Sequence, residues 1–574
     1  MKQIYSYILK FPKSLIAGIL LIPLFWNCHF LDYTEYDSNN ENYIFSYIDA
    51  TKSVLSNIYT YLPKDYTTSS TDLANRSSAT DDAEYVWDAS AIQRFNNGGW
   101  SAINPLDDQW GRMYTAIRAA NVFLDKASTL KFPAIKYATN YADLMKAYAL
   151  YPYEARFLRA MYYFELIKRY GNVPLDTVRL APEQVNSVKL NSYDEVVKFI
   201  VRECDSATVK LPITFSTFIS AETGRATKGA AMALKARTLL YAASPLNNPS
   251  NGAARWIAAA SASKAIIDQL SGTYTPLAAY NTTWNNLTSK ELILETRQAD
   301  DRAFESANTP VGYNGGNTGT CPTQNLIDAY EMKTSGKGIL EAGSGYDPAN
   351  PYATSGAAAR DPRLDMTVLR NGSIWKTPLV VETFEGGLNA SPRPNTTKTG
   401  YYIKKFMVES IVVDPSLTLG TARHVWPIFR YTEVLLNYAE AMNEVYGPDG
   451  AGPAPLDNLT ARAAVNIVRA RTGVAMPAFA AGMTQSAFRD KLRNERRVEL
   501  AFEDHRFWDI RRWKIGPSTT TINGISLTKN PVTGVITYTP KVVETRVWDD
   551  KMYLYPIPQN ELFVNKNLVQ NKGW

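Results

Sequence analysis

The segment YEARFLRAMYYFELIKRYG, residues 153–171, decides the fold class of this chain. Its apolar residues recur at intervals of three and four, which is the spacing of one face of an α-helix. Gly171 supplies the residue with left-handed backbone geometry at which many helices end. We therefore predict a helix that ends at Gly171, with one apolar stripe made of Ala155, Leu158, Tyr162, Leu166 and Tyr170.

The same spacing recurs along the chain and predicts a mainly α-helical protein. Small residues such as Ala233 and Ala236 share these stripes with large aromatic ones, so neighbouring helices can approach closely, as paired helices do in tetratricopeptide arrays. No strict repeat period appears, so we expect a scaffold of divergent tetratricopeptide-like helix pairs. The further predicted helices span residues 107–128, 193–209, 227–244, 256–270, 431–446, 459–472 and 485–513.

Two stretches lack this periodicity and are rich in Gly, Asn, Thr, Pro and Ser. They cover residues 67–105 and about 273–426, and we expect loops with short strands there. Long irregular stretches on a rigid scaffold commonly carry binding groups. Residues 519–549 alternate polar and apolar positions around the turn NPVTG at 530–534, which predicts a β-hairpin.

The N-terminus has the three parts of an export signal: early lysines, the apolar run from Leu15 to Trp26, and Cys28. The run falls short of the ~20 residues that cross a bilayer as a helix. A cysteine that closes such a run is the acylation site of bacterial lipoproteins, and two or three acyl chains give stable attachment. We expect lipidation at Cys28; the alternative is a secretory signal with an incidental cysteine.

These observations divide the chain into three parts. Residues 1–27 are the predicted signal peptide, residues 28–45 the lipidated cysteine and its tether, and residues 46–574 a single globular body. Within that body we expect a helical scaffold at about 46–272 and 427–515, the loop-rich region at about 273–426, and a C-terminal hairpin and tail at 516–574.

Charge and composition exclude several function classes. The formal charge is only +6, and no basic run interleaves with aromatics, so we expect no nucleic-acid partner. The arginines of residues 493–512 alternate with acidic residues, which predicts a paired, solvated helix face.

Cys204 lies in a helical pattern and is expected to be a buried free thiol. Three histidines, none at metal-ligand spacing, predict no metal site and no cofactor.

No catalytic motif is present, and we predict that the protein is not an enzyme. A Gly-x-Ser-x-Gly elbow is absent, and Gly336-Lys337 lacks the frame of a phosphate-binding loop. A pair of carboxylates could still make a glycosidase, because such pairs meet only in the fold. Asp81-Asp82 and Glu503-Asp504 are the candidates, and for the latter we expect a structural role beside the arginines.

Short motifs with a common pattern are spread along nearly the whole chain. They are FLD (30–32), EARFLRA (154–160), YGNVPL (170–175), RATKGAA (225–231), PTQNL (322–326), RDPR (360–363), RYTEVLL (430–436), AEA (439–441), RARTG (469–473), ERRVELAFE (495–503), RFWDIRRW (506–513), LYPIP (554–558) and NLVQN (567–571). Together these motifs resemble the SusD/RagB family of nutrient-binding outer-membrane lipoproteins of Bacteroidetes. The C-terminal third is the most similar part.

The resemblance implies a SusD-like fold with a loop-rich ligand-binding region. It also implies an outward-facing lipid anchor in the outer membrane and a SusC-like TonB-dependent transporter as partner. Family members mostly bind glycans and some bind peptides, so the function implied is capture of oligosaccharides, with peptide uptake as the alternative. A surface glycosidase is the third hypothesis.

Sugar recognition needs flat apolar faces for pyranose rings and amide or carboxylate groups for the hydroxyls. Both occur in the two long loop stretches. We predict stacking by Trp87, Trp100 and Tyr313, with Trp284 and Trp375 as second choices. We predict hydrogen bonding by Asp81, Asp82, Asn314 and Asn317.

Overall fold

The structure is a computed structural model that describes residues 41–64, 66–67, 72–127, 130–218, 222–281, 286–296 and 299–574. The predicted signal peptide, Cys28 and most of the tether lie outside the described residues, as does Trp284.

Helices make up most of the regular structure. The α-helices are α1 (Glu41–Ile44), α2 (Ile48–Tyr59), α3 (Gln93–Asn97), α4 (Trp110–Ala127), α5 (Tyr141–Tyr148), α6 (Tyr151–Tyr170), α7 (Pro182–Val185), α8 (Tyr193–Lys210), α9 (Lys228–Ala243), α10 (Ala253–Gln269), α11 (Ala303–Asn308), α12 (Gln324–Ala329), α13 (Arg363–Thr367), α14 (Tyr431–Tyr446), α15 (Ala461–Arg469), α16 (Gln485–Glu499), α17 (Arg506–Arg512) and α18 (Gln559–Val564). Short 3₁₀ helices lie at Arg76–Ala79, Pro133–Ile135, Gly516–Thr519 and Asp550–Tyr553.

Most predicted helices are confirmed, and α14 has the predicted bounds. The prediction of a single helix over residues 485–513 is wrong, because α16 and α17 are separate helices. Phe502 and Asp504 between them have φ of 62°, a left-handed conformation that interrupts a right-handed helix. This turn lets Glu503 and Asp504 form ion pairs with residues of other segments.

The helices pack as a succession of neighbours, which confirms the mainly α, tetratricopeptide-like scaffold. Helix α6 contacts α4 and α8, α9 contacts α8 and α10, and α14 contacts α10, α15 and α16. Because α6 has neighbours on two sides, its predicted stripe is buried together with Phe157, Tyr163 and Ile167. Alanines at the contacts, among them Ala233, Ala260 and Ala439, are also buried and allow the close approach.

The strands are short and form separate two-stranded antiparallel sheets. The predicted C-terminal hairpin is confirmed: its strands pair from Thr521 with Thr545 to Lys529 with Ile536, on either side of the predicted turn. The strands are β1 (Ala83–Tyr85), β2 (Leu292–Thr296), β3 (Thr320–Pro322), β4 (Val368–Leu369), β5 (Tyr402–Ile403), β6 (Trp426–Arg430), β7 (Thr521–Lys529) and β8 (Ile536–Thr545). The sheets pair β1 with β3, β2 with β6, β4 with β5, and β7 with β8.

The expectation of a solvated charged face on residues 493–512 is also wrong. Glu495 and Glu499 of α16 are buried and accept hydrogen bonds from arginines of distant segments. Arg363 Nη1 donates to Glu495 Oε1 at 2.6 Å and to Glu499 Oε2 at 2.8 Å. Arg430 Nη1 donates to Glu499 Oε1 at 2.9 Å, and Arg469 Nη1 to Glu495 Oε2 at 2.5 Å. We call these five residues, with Arg471, the buried ion network.

The buried ion network holds its carboxylates ionised. Burial alone would raise the pKa of Glu499, but the guanidiniums of Arg471, Arg430 and Arg363 outweigh burial and lower that pKa to about 2. Its members come from RDPR, RYTEVLL, RARTG and ERRVELAFE, which are motifs of the family resemblance. These network residues therefore join the helical scaffold to the loop-rich region.

Two further expectations concern Cys204 and the membrane. Cys204 is a buried free cysteine, as predicted, and burial raises the pKa of its thiol. Within the described ranges, no helix is both long enough and apolar enough to cross a bilayer.

Candidate functional site

The pairing of β1 with β3 brings the two predicted loop regions together. Tyr85 pairs with Thr320, and the Val86 backbone N–H donates to Gly319 O at 3.0 Å. Trp87 therefore follows a strand end that adjoins the loop at residues 312–319. The Trp87 side chain is 36% exposed, so part of its ring faces solvent.

The loop at residues 312–319 presents amide groups beside that strand end. Asn314 and Asn317 are exposed; their Nδ2 groups donate to Asp414 Oδ2 and Ser306 O, each at 2.9 Å. Their side-chain oxygens accept no hydrogen bond from the described residues, so these oxygens can accept from a ligand hydroxyl. Gly315 shapes the loop: its φ is 77°, and a Cβ there would lie 2.2 Å from Val413 O.

A third segment, residues 395–398, is hydrogen-bonded to both loop regions. The Thr318 hydroxyl donates to Asn395 O at 2.6 Å, and Lys398 Nζ donates to Glu84 Oε1 at 3.1 Å and to Tyr85 O at 3.0 Å. Burial disfavours the charge on Lys398, but Glu84 and Asp88 outweigh it and raise the Lys398 pKa. We call this surface, made by Trp87, Asn314, Asn317 and residues 395–398, the loop face.

Other predicted binding residues lie in the interior. Tyr313 is 9% exposed; it packs in a cluster with Trp375 and Tyr402, and its hydroxyl has no partner in the structure. Burial raises the pKa of Tyr313 to about 12. Trp375 is 1% exposed. Neither ring presents the open face that stacking on a sugar requires.

Trp100, which we also predicted to stack on a sugar, is buried as well. Its indole is 2% exposed and makes edge-to-face contacts with Phe95, Tyr555 and Trp574, at centroid distances of 4.9, 5.1 and 4.6 Å. Aromatic pairs of this geometry are stabilising. Trp100 therefore joins the N-terminal loop stretch to the end of the chain.

Asp81 and Asp82 are buried in ion pairs at the other end of β1. Arg506 donates to both oxygens of Asp81 at 2.8 Å, and Arg497 Nε donates to Asp82 Oδ1 at 2.6 Å. Although burial opposes ionisation, Arg497 and Arg506 lower the pKa of Asp81 to about 2, whereas burial raises that of Asp82. Both side chains are buried.

Glu503 and Asp504 are also held in ion pairs, as expected. Glu503 is bound by Arg430 and Lys405, and Asp504 by Arg76 at 2.6 Å. The partners come from other parts of the chain and not from the neighbouring arginines. These four carboxylates therefore serve the fold.

A separate cavity was not anticipated from the sequence. It has a volume of about 450 Å³ and is lined by residues of α4, α6, β6 and the turn before α17, among them Arg112, Lys168 and His505. Its lining residues come from separate segments between residues 63 and 508 and share no motif, so no local sequence pattern indicated it.

This arrangement, a helical scaffold that carries loops with a partly exposed indole and free amide oxygens, is suited to binding a ligand. Comparison with known families agrees with it. The SusD family model matches residues 284–574, about half of the chain, and a model described as "Starch-binding associating with outer membrane" matches residues 29–240. The chain belongs to the SusD family.

Two relatives come from Formosa agariphila. SusD-like protein P2 is 33% identical over 144 residues, which cover 25% of this chain and 24% of that protein. SusD-like protein P25 is 22% identical over 497 residues, which cover 81% of this chain and 78% of that protein. The match to P2 thus spans only about a quarter of its length.

Two solved structures from Bacteroides fragilis are similar over nearly their whole length. A SusD-like protein superposes with a TM-score of 0.76 at 26% identity, over 94% of this chain and 99% of its own. A SusD-like carbohydrate-binding protein superposes with a TM-score of 0.69 at 25% identity, over 92% of this chain and 100% of its own.

Proposed function

We propose that this protein is a cell-surface glycan-binding lipoprotein that captures oligosaccharides and delivers them to a SusC-like TonB-dependent transporter. The observation that carries the proposal is the loop face. There, the partly exposed Trp87 ring adjoins the loop that bears the amides of Asn314 and Asn317. An indole packs against the C–H side of a pyranose, and amide oxygens accept from its hydroxyls.

Membership of the SusD family and the matching carbohydrate-binding structure support a glycan as the ligand. In this proposal the protein binds without catalysis. The carboxylate pairs at residues 81–82 and 503–504 are bound by arginine and lysine side chains. A glycosidase needs two carboxyl groups that are free to act on either side of the scissile bond, whereas each of these four is held in an ion pair.

The ligand class is tested by a glycan array set beside a peptide pool, with the purified protein as probe. We expect binding to oligosaccharides, with no new reducing ends after prolonged incubation. Binding restricted to peptides would replace the glycan by the peptide hypothesis, and release of reducing ends would establish a glycosidase.

The anchor is tested by cell fractionation of the wild type and of C28S. Lipidation at Cys28 predicts that the wild type sediments with the outer membrane, is cut by protease added to intact cells, and co-purifies with a TonB-dependent barrel. The C28S protein is expected in the soluble fraction. Equal membrane association of both proteins would refute the role of Cys28.

A further inference from the structure

The cavity between the helical scaffold and β6 has the size of a ligand site. Its volume of about 450 Å³ falls within the range of about 300–1,000 Å³ that is typical of small-molecule pockets. It shares none of its lining residues with the loop face. Six of its lining residues are basic: Lys64, Arg76, Arg112, Lys168, Arg169 and Arg237. We call this cavity the basic cleft.

Carboxylates pair with much of this charge, and Arg237 pairs at 2.5 Å with Glu433, which lies outside the lining. The acidic lining residues are Asp107, Glu165, Glu503 and Asp504. Arg76 pairs with Asp107 at 3.0 Å and with Asp504 at 2.6 Å. Arg169 pairs with Asp107 at 3.0 Å and Glu165 at 2.6 Å, and Lys168 with Glu165 at 2.7 Å. Three cations therefore share three carboxylates and form a neutral group in the wall.

Arg112 stands outside that neutral group. Within the described part of the chain, no carboxylate lies within 4.0 Å of its guanidinium. Instead, Arg112 donates to Gln109 Oε1 at 3.1 Å, Thr60 O at 3.3 Å and Leu62 O at 3.4 Å. These acceptors orient the half-buried side chain but do not neutralise it. Burial lowers the pKa of Arg112, which indicates that its positive charge lacks full compensation.

Two further donor groups lie at the wall of the cleft. Arg76 Nε is buried with no hydrogen-bond partner in the structure. Arg496 Nη2 lies 3.3 Å from His505 Nδ1. Because a guanidinium can only donate, His505 Nδ1 accepts this hydrogen bond, and the proton of neutral His505 lies on Nε2. Burial and four arginines, Arg496 first, lower the pKa of His505 well below its usual range, so the ring is a neutral donor.

We propose that the basic cleft binds the carboxylate-bearing sugar of an acidic oligosaccharide, with Arg112 as its charge partner. This inference rests on the proposed function and narrows its substrate class. The cleft volume of about 450 Å³ is far larger than an inorganic anion requires. A guanidinium and a carboxylate form paired, charge-assisted hydrogen bonds.

The test is calorimetry of the purified protein with oligogalacturonate and oligomannuronate, each beside its methyl ester, which has the same sugars without charge. We expect at least one acid to bind about tenfold or more tightly than its ester. Binding should weaken with salt, because the Debye length falls from about 30 Å at 0.01 M to about 3 Å at 1 M.

Variants of Arg112 and Lys64 test which residue recognises the carboxylate of the sugar. R112Q is expected to remove the preference for the acid, and R112K, which keeps the charge, to restore part of it. K64Q changes an exposed lining residue and should weaken acid binding by a smaller factor, with the thermal unfolding midpoint unchanged. An R112Q protein that is folded by circular dichroism and keeps the full preference would overturn the proposal.

The outcomes distinguish failure of this inference from failure of the proposed function. If neutral glycans bind and neither acid is preferred over its ester, the basic cleft proposal fails and the glycan-binding function stands. If neither neutral nor acidic oligosaccharides bind, both fail.

Discussion

We predict that the negative charge of Glu499, in the buried ion network, is needed for the stability of the fold. This residue is fully buried, and its carboxylate accepts from Arg363 at 2.8 Å and Arg430 at 2.9 Å and also from Arg471. E499Q keeps the size and shape of the side chain and removes its negative charge. The three guanidiniums then lose a shared counterion in a site that excludes water.

The expected cost is large on the scale of protein stability. Removing one partner of a buried ion pair costs about 3–5 kcal/mol, because the remaining charge stays buried, whereas whole domains are stable by only about 5–15 kcal/mol. We therefore expect E499Q to lower the free energy of unfolding by about 3 kcal/mol or more. Urea denaturation followed by tryptophan fluorescence measures this difference.

An exposed ion pair provides the matched control. Arg423 and Asp300 lie 3.0 Å apart and are 50% and 52% exposed. Solvent screens such pairs, so D300N should change stability by less than about 1 kcal/mol. If E499Q costs no more than D300N, the buried ion network does not hold the scaffold to the loop-rich region, and our reasoning is refuted.

Three further predictions follow from burial. Burial opposes ionisation of Glu165, Glu440 and Glu499, but neighbouring cations lower each pKa from 4.5 to about 2. Their ion pairs therefore stabilise the fold above pH 4.5, and this contribution is lost as the pH falls toward 2. A urea midpoint that stays constant between pH 4.5 and pH 2 would contradict this assignment. Burial raises the pKa of the Cys204 thiol, and it raises the pKa of the Cys321 thiol to about 11. In a C28S protein, neither thiol should react with a thiol reagent until denaturant is added. Rapid labelling of the native protein would contradict the burial of these thiols. W100A should cost about 3–5 kcal/mol of unfolding free energy, as expected for a large buried aromatic, and a loss similar to that of an exposed tyrosine variant, Y137A, would show that the Trp100 contacts are not maintained in solution.

The helical scaffold was predictable from sequence because helix periodicity is a local signal. The stripe of α6 and the bounds of α14 both follow from residues a few positions apart. The solvated face expected around Glu499 was wrong because its partners are distant in sequence: Arg430 lies 69 positions away and Arg363 lies 136 away. Local alternation of charge suggests local pairing, and only the fold supplies the competing partners.

The candidate site was predictable in part. Both loop regions were expected to carry ligand groups, and the structure joins Trp87 to the loop with Asn314 and Asn317. The strands that do so, β1 and β3, have three residues each, too short to leave a pattern. The burial of Trp100 was not predictable because Trp574, whose ring centroid lies 4.6 Å from that of Trp100, is more than 400 positions away in the sequence.

The central claim is that the loop face binds a glycan through Trp87. Its most direct test is calorimetry with an oligosaccharide found on the glycan array, using the wild type, W87A and the control Y137A, whose tyrosine is 91% exposed. The account predicts that W87A binds about tenfold more weakly, as expected from loss of about 1.4 kcal/mol of ring stacking, while Y137A binds like the wild type. Equal affinity of W87A and the wild type would contradict it.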